Sequence, residues 1–191
     1  MMCSNYHATY GTNEEDLGGV AIQLRQHAMR NPNAVMQTPL SLDDYLAARH
    51  IVRPLRLFDL CLVNDGAVCL IVSRADLARD LPHAPVLVSG WGESRVKADK
   101  MRALIQDRLQ VQMQDATQQA LAMAGLGLAD VGHFEGYDAA SIHLVSQIEG
   151  HGFVPAGTAL EFCKAGEMAV GGKLTVNTGG GNMSGVPRQH L

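Results

Sequence analysis

Aromatic side chains are scarce in this 191-residue chain, at 5%, and charged residues are few, at 18%. Neither shortage indicates disorder, because apolar residues make up 47% and the mean hydropathy is zero. Such a chain can bury a core, and its length suits one domain or parts of two. An excess of positive charge is missing as well. A formal net charge of −4 excludes the basic footprint of a nucleic-acid binder and the polybasic segment that anionic lipid attracts. No apolar run reaches the roughly 20 residues of a membrane span, and residues 1–10 are too polar for a secretory signal. The four cysteines, Cys3, Cys61, Cys69 and Cys163, form no CxxC pair and no zinc spacing. No two histidines sit at the i, i+4 spacing of a helical metal site, so no metal is expected. Together these absences suggest a reduced, cytoplasmic setting.

What is present alternates between helix and strand patterns. Residues 1–13 read as irregular. Leu17, Val20, Ile22, Leu24 and Ala28 mark a helix over 14–30, ended by Asn31-Pro32-Asn33. The sequence Ser41-Leu42-Asp43-Asp44 resembles a capping box and opens a second helix to about His50. Apolar runs at 60–63 and 67–72, divided by Asn64-Asp65-Gly66, read as strand buried on both faces. A short helix at 74–81 and a strand at 85–90 follow. Residues 95–124 form a weakly amphipathic stretch whose best part is 112–124. A strand is expected at 131–135, a helix at 138–150 with Asp138 as its N-cap, a glycine-rich loop at 151–172, and a last strand at 174–177. This alternation points to an α/β layered sheet.

Two segments could carry chemistry. The first is Val176-Asn177-Thr178-Gly179-Gly180-Gly181-Asn182. Consecutive glycines after a strand let the backbone approach another group, and a helix starting there would aim N–H groups at an anion or oxyanion. A plain glycine turn satisfies the same spacing. The second is Gly132-His133-Phe134-Glu135-Gly136-Tyr137-Asp138, where Tyr137 is either a structural tyrosine or a proton donor to a carbonyl.

Read in order, several segments resemble the thiolase superfamily, and within it the lipid-transfer-protein or sterol-carrier-type branch that includes thiolase-like aldolases. They are Tyr10-Gly11-Thr12, His27 to Ala34, Arg53 to Cys61 with Asn64-Asp65-Gly66-Ala67, Pro85 to Gly92, Phe134 to Ala140, and Val176 to Ser184. The resemblance implies an α-β-α-β-α layered fold built from two similar halves. Residues 1–82 would then be the loop segment and the end of the N-terminal half. Residues 83–191 would be the C-terminal half without its last strand and helix.

The resemblance also implies acyl-CoA as substrate, with acyl transfer or C–C bond formation or cleavage as the reaction and no further cofactor. The family's nucleophilic cysteine lies upstream of the Tyr10-Gly11-Thr12 segment, and Cys3 is not matched to it. His190 is not in the family's Gly-His-Pro context. By resemblance, Tyr137 is the catalytic candidate, the proton-transfer tyrosine of a retro-aldol cleavage, and Asn177 and Gly180 shape the substrate pocket. The expected partners are a second copy in a homodimer, a separate thiolase half, or a small OB-fold protein. Three readings stand open: a truncated, inactive thiolase-like chain, one subunit of a two-component aldolase, and a non-catalytic acyl- or lipid-binding module.

Overall fold

The computed structural model describes residues 2–95 and 107–185. The start of the long stretch expected at 95–124, and His190, lie outside the described residues.

Helix α1 (Met2–Tyr10) occupies a segment read as irregular. It has no acidic first turn and little periodicity. Tertiary packing holds it instead, through buried Cys3 and Tyr6. The Tyr6 hydroxyl donates to Glu149 at 2.5 Å across 143 residues of sequence. Helix α2 (Glu14–Ala28) starts where expected. Asn13 accepts from the Glu15 and Asp16 amides, and Asp16 accepts from the Asn13 amide in return, so the orphan donors of the first turn are satisfied locally. Helix α3 (Leu42–Ala47) repeats the device with Ser41 and Asp44, as its sequence announced.

Strands β1 (His50–Val52) and β2 (Leu55–Arg56) form a small antiparallel pair. A 3-10 turn at Leu57–Asp59 follows. Helices α4 (Ala75–Ala78) and α5 (Asp107–Ala124) precede strand β3 (His133–Phe134). Helix α6 (Ser141–Gly150) and helix α7 (Ala159–Lys164) come next, the latter inside the segment expected as loop. Strand β4 (Thr175–Val176) pairs parallel with β3 and leads into the short helix α8 (Gly181–Ser184).

The core lies between α2 and α6. Leu17, Val20 and Leu24 from α2 join Ile142, Leu144, Val145 and Ile148 from α6, with Tyr6, Tyr45, Leu160, Met168 and Val176 around them. These side chains sit at helical spacing on one face of each helix. Lys164 pairs with Asp16, tying α7 to the start of α2.

Two expected strands are absent. Residues 61–63, 67–72 and 85–90 carry no strand assignment, Leu60 makes only an isolated bridge to Ala140, and Val63, Val68, Leu70, Ile71, Val86 and Val88 are more than four-fifths exposed. A strand requires a ladder partner, and these segments pair with no strand among the described residues. They form an apolar arm around α4, with a cleft of about 710 Å³ lined by Ile71, Leu81, Pro85, Leu87 and other arm residues. Both its ends are anchored. The Cys61 and Leu62 amides donate to Ala139 and Asn182, and Gly90 and Gly92 lie against the α5 backbone.

Candidate functional site

Parallel β3 and β4 end side by side, and both sequence-marked segments leave from those ends. The carboxyl ends of parallel strands are where α/β sheets place ligand sites, because the loops diverge there. The structure therefore brings Tyr137, Asn177 and Gly180 to one end of one strand pair, although 40 residues separate Tyr137 from Asn177.

Asn177 is buried, at 1% exposure, and adopts φ +48°, a left-handed conformation that asparagine tolerates better than most residues. Its carboxamide reaches across to β3. Oδ1 accepts from the Gly136 amide at 2.7 Å, and Nδ2 donates to the Gly136 carbonyl at 3.0 Å. Gly180 is buried at φ +96°, and a Cβ there would meet the Ala28 Cβ at 2.5 Å. It is the point where the glycine turn presses on the end of α2.

His27 backs this turn. Its Nδ1 lies 3.3 Å from the Asn177 carbonyl and its Nε2 lies 3.0 Å from the Gln23 carboxamide nitrogen. Nδ1–H donating and Nε2 accepting is the neutral tautomer. Burial, which lowers the His27 pKa, agrees with it.

Asp138 departs from its expected role. It does not cap α6, whose N-cap is Ala140. Its buried carboxylate instead accepts from the Asn182 and Met183 amides at 2.8 and 3.1 Å, at the start of α8. The residue sits too far ahead of α6 to reach it, and the tertiary fold offers another helix start. Burial raises its pKa, against the pull of those two amides.

His133 in β3, and Glu135 and Tyr137 in the segment that follows it, are all exposed. Glu135 Oε1 accepts from the Thr178 amide at 3.0 Å and its hydroxyl at 3.1 Å, and lies 3.0 Å from His133 Nε2. Tyr137 is 66% exposed. This exposed segment therefore carries a phenol, a carboxylate and an imidazole, three groups able to move protons. His27 and Glu135 were not singled out from sequence. Their signals, a histidine near a helix end and an acid two residues before Tyr137, are common in any protein.

Thiolate chemistry finds little support among the buried cysteines. Burial pushes both Cys3 and Cys163 up to about 12, so both are thiols at neutral pH. Among the described residues no three His, Cys, Asp or Glu side chains group to hold a metal, and no helix is long and apolar enough to cross a membrane.

A parallel strand pair packed on helices, with a tyrosine turn and a glycine-rich turn at its carboxyl ends, makes this a mixed α/β protein. The family described as thiolase C-terminal domain-like matches residues 97–188. The steroid side-chain-cleaving aldolase of Thermomonospora curvata is 36% identical over 96% of this chain and 48% of that protein. The 17-hydroxy-3-oxo-4-pregnene-20-carboxyl-CoA lyase of Mycobacterium tuberculosis is 33% identical over 96% of this chain and 48% of its own length. Among solved structures, the Ltp2-ChsH2(DUF35) aldolase superposes with a TM-score of 0.86 at 34% identity, covering 97% of this chain and 50% of that one. The chain belongs to the thiolase superfamily. It spans about half the length of the curated relatives it matches.

Proposed function

We propose that this chain is one component of a thiolase-like acyl-CoA aldolase, that Tyr137 transfers a proton in its reaction, and that a second polypeptide completes the site. The observation that carries the reading is Tyr137, a phenol held at the carboxyl end of a parallel strand pair and facing outward. Retro-aldol cleavage of a β-hydroxyacyl-CoA removes the hydroxyl proton and breaks the Cα–Cβ bond. The electron pair passes into the thioester enolate. A ketone leaves, and Cα takes a proton to give the shorter acyl-CoA. Each proton needs a group at the reacting centre, and the Tyr137 phenol serves one of the two transfers. Aldolase chemistry is favoured over thiolysis by the likeness to the steroid side-chain-cleaving aldolase of Thermomonospora curvata and to the Ltp2-ChsH2(DUF35) aldolase.

The need for a second polypeptide rests on the exposed apolar arm, since a patch of that size exposed to water marks an interaction surface. A cytoplasmic setting is part of the same proposal.

The test is co-expression of this chain with a polypeptide equivalent to the other half of its relatives, followed by assay of β-hydroxyacyl-CoA cleavage. The chain alone is expected to be inert. The assembly is expected to turn over, and Tyr137→Phe to lower kcat about 100-fold or more. Turnover by the chain alone, or full activity in the phenylalanine variant, would overturn the proposal.

A further inference from the structure

We propose that Gln147 is a positioning residue for Tyr137, clamping the backbone from which the phenol projects so that only its own χ angles remain free. The inference rests on the reading of Tyr137 as the proton-transfer group.

Three successive residues in the β3–α6 connection are each anchored by a different element. The Asn177 carboxamide, beyond β4, grips both the N–H and the C=O of Gly136. The Asp138 carboxylate is buried against the amides of α8. Between them, Gln147 on α6 grips Tyr137. Its Oε1 accepts from the Tyr137 amide at 3.0 Å, and its Nε2 donates to the Tyr137 carbonyl. The second Nε2 hydrogen goes to the His143 carbonyl, one turn earlier in α6, at 3.0 Å.

A primary carboxamide has one acceptor and two donors that fit this demand. Set beside a peptide group, it pairs with N–H and C=O together, as a neighbouring strand would. The His143 bond in turn fixes the carboxamide on the helix. Rotation of the Gln147 end would break all three bonds.

The side chain carried by this clamped peptide is the opposite of buried. Tyr137 is 66% exposed, while Asp138, the next residue, is 1% exposed. The phenol's own packing therefore does little to orient it. With the backbone pinned on both sides, its direction is left to rotation about its own χ angles. Groups that move protons must lie within hydrogen-bond reach of the reacting atom, and a misplacement of about 1 Å can cost 100-fold. Support from a rigid element behind the reacting group is how such accuracy is obtained. Glutamine at 147 supplies that support from α6, whose other face carries the core residues Ile142, Val145 and Ile148.

Two variants test this. Gln147→Ala removes all three bonds. Gln147→Glu keeps the size and the acceptor for the Tyr137 amide but, when ionised, cannot donate to either carbonyl. In the assembled, active enzyme both are expected to lower kcat about 10- to 100-fold with KM little changed. In a Tyr137→Phe background the same changes are expected to have no further effect, because the group they position is gone.

Hydrogen exchange on the full chain gives a second readout. The amides of 136–138 are expected to exchange at least about 10-fold faster in Gln147→Ala, with residues 17–24 of α2 unchanged. Losses that multiply with Tyr137→Phe would make Gln147 merely structural and overturn the inference. So would unaltered exchange at 136–138, or unaltered kcat in both glutamine variants while Tyr137→Phe is inactive. Full activity of Tyr137→Phe would instead overturn the reading of Tyr137, and the positioning role with it.

Discussion

Asp59 gives the sharpest test of how this structure is held together. It is completely buried. Its Oδ2 accepts from the Tyr45 hydroxyl and the Arg56 amide, both at 2.7 Å, and its Oδ1 from the Ser141 hydroxyl at 2.6 Å. Those donors come from α3, from the last residue of β2, and from the first residue of α6. One carboxylate thus joins the segment around α3 to the helix beside the candidate site. Asp59→Ala orphans three donors in the interior. Each orphan costs about 1–3 kcal/mol, reduced where the site relaxes, so the expected loss is about 3–5 kcal/mol. Asp59→Asn keeps the acceptor for Ser141, and the Tyr45 hydroxyl can reverse its direction. The Arg56 amide then faces an NH2 group, a single unmet donor worth about 1–3 kcal/mol.

Urea unfolding followed by far-ultraviolet circular dichroism measures both. Fluorescence is the poorer probe, because Trp91 is 64% exposed. The pH dependence has a definite sign. Burial raises the Asp59 pKa and outweighs the hydrogen bonds from Ser141, Arg56 and Tyr45, which lower it. A carboxyl whose folded value lies above its unfolded value of about 3.9 contributes its full stability below that pH. The contribution is lost as pH rises through the folded value. The stability gap between wild type and Asp59→Asn should therefore narrow as pH rises from about 4. A gap that widens over the same range would show that the three hydrogen bonds outweigh burial, and would refute the reasoning. An alanine variant within about 1 kcal/mol of wild type would refute the cross-link itself.

Two further outcomes are expected. Gly180→Ala must adopt φ +96° and push its Cβ against Ala28, at a cost of about 2–4 kcal/mol in urea unfolding; a cost below about 0.5 kcal/mol would mean the turn does not press on α2 as described. Placing lysines on the arm, as Ile71→Lys with Val86→Lys, should lower the aggregated fraction of the isolated chain in size-exclusion chromatography with light scattering, because both positions are over nine-tenths exposed and apolar. An unchanged aggregated fraction would place the self-association surface elsewhere.

Much of the helical layout was legible in the sequence. Asn13 and Ser41 announce the starts of α2 and α3, because a capping box is a local arrangement of side chain and backbone within four residues. The apolar face of α6 was legible for the same reason, as Ile142, Val145 and Ile148 recur at helical spacing. Helix α1 was not, since what holds it is Tyr6 bonded to Glu149, a contact that no window of local sequence contains. Helix α7 was masked by the glycines around it.

At the candidate site, the glycine-rich turn and the Tyr137 segment each stood out, and the thiolase resemblance followed from the order of these and the other matched segments along the chain. What the sequence alone determined is therefore the α/β class, the family, and the residues worth watching, because these depend on periodicity, capping and motif order. The tertiary structure decided that Tyr137, Asn177 and Gly180 meet at one end of β3 and β4. It also decided that Asp138 caps α8 in place of α6, and that the apolar runs at 67–72 and 85–90 lie open. Each of these is settled by which distant group is available to pair. A strand former without a neighbouring strand cannot complete its ladder, and a carboxylate takes whichever helix start the fold brings within reach.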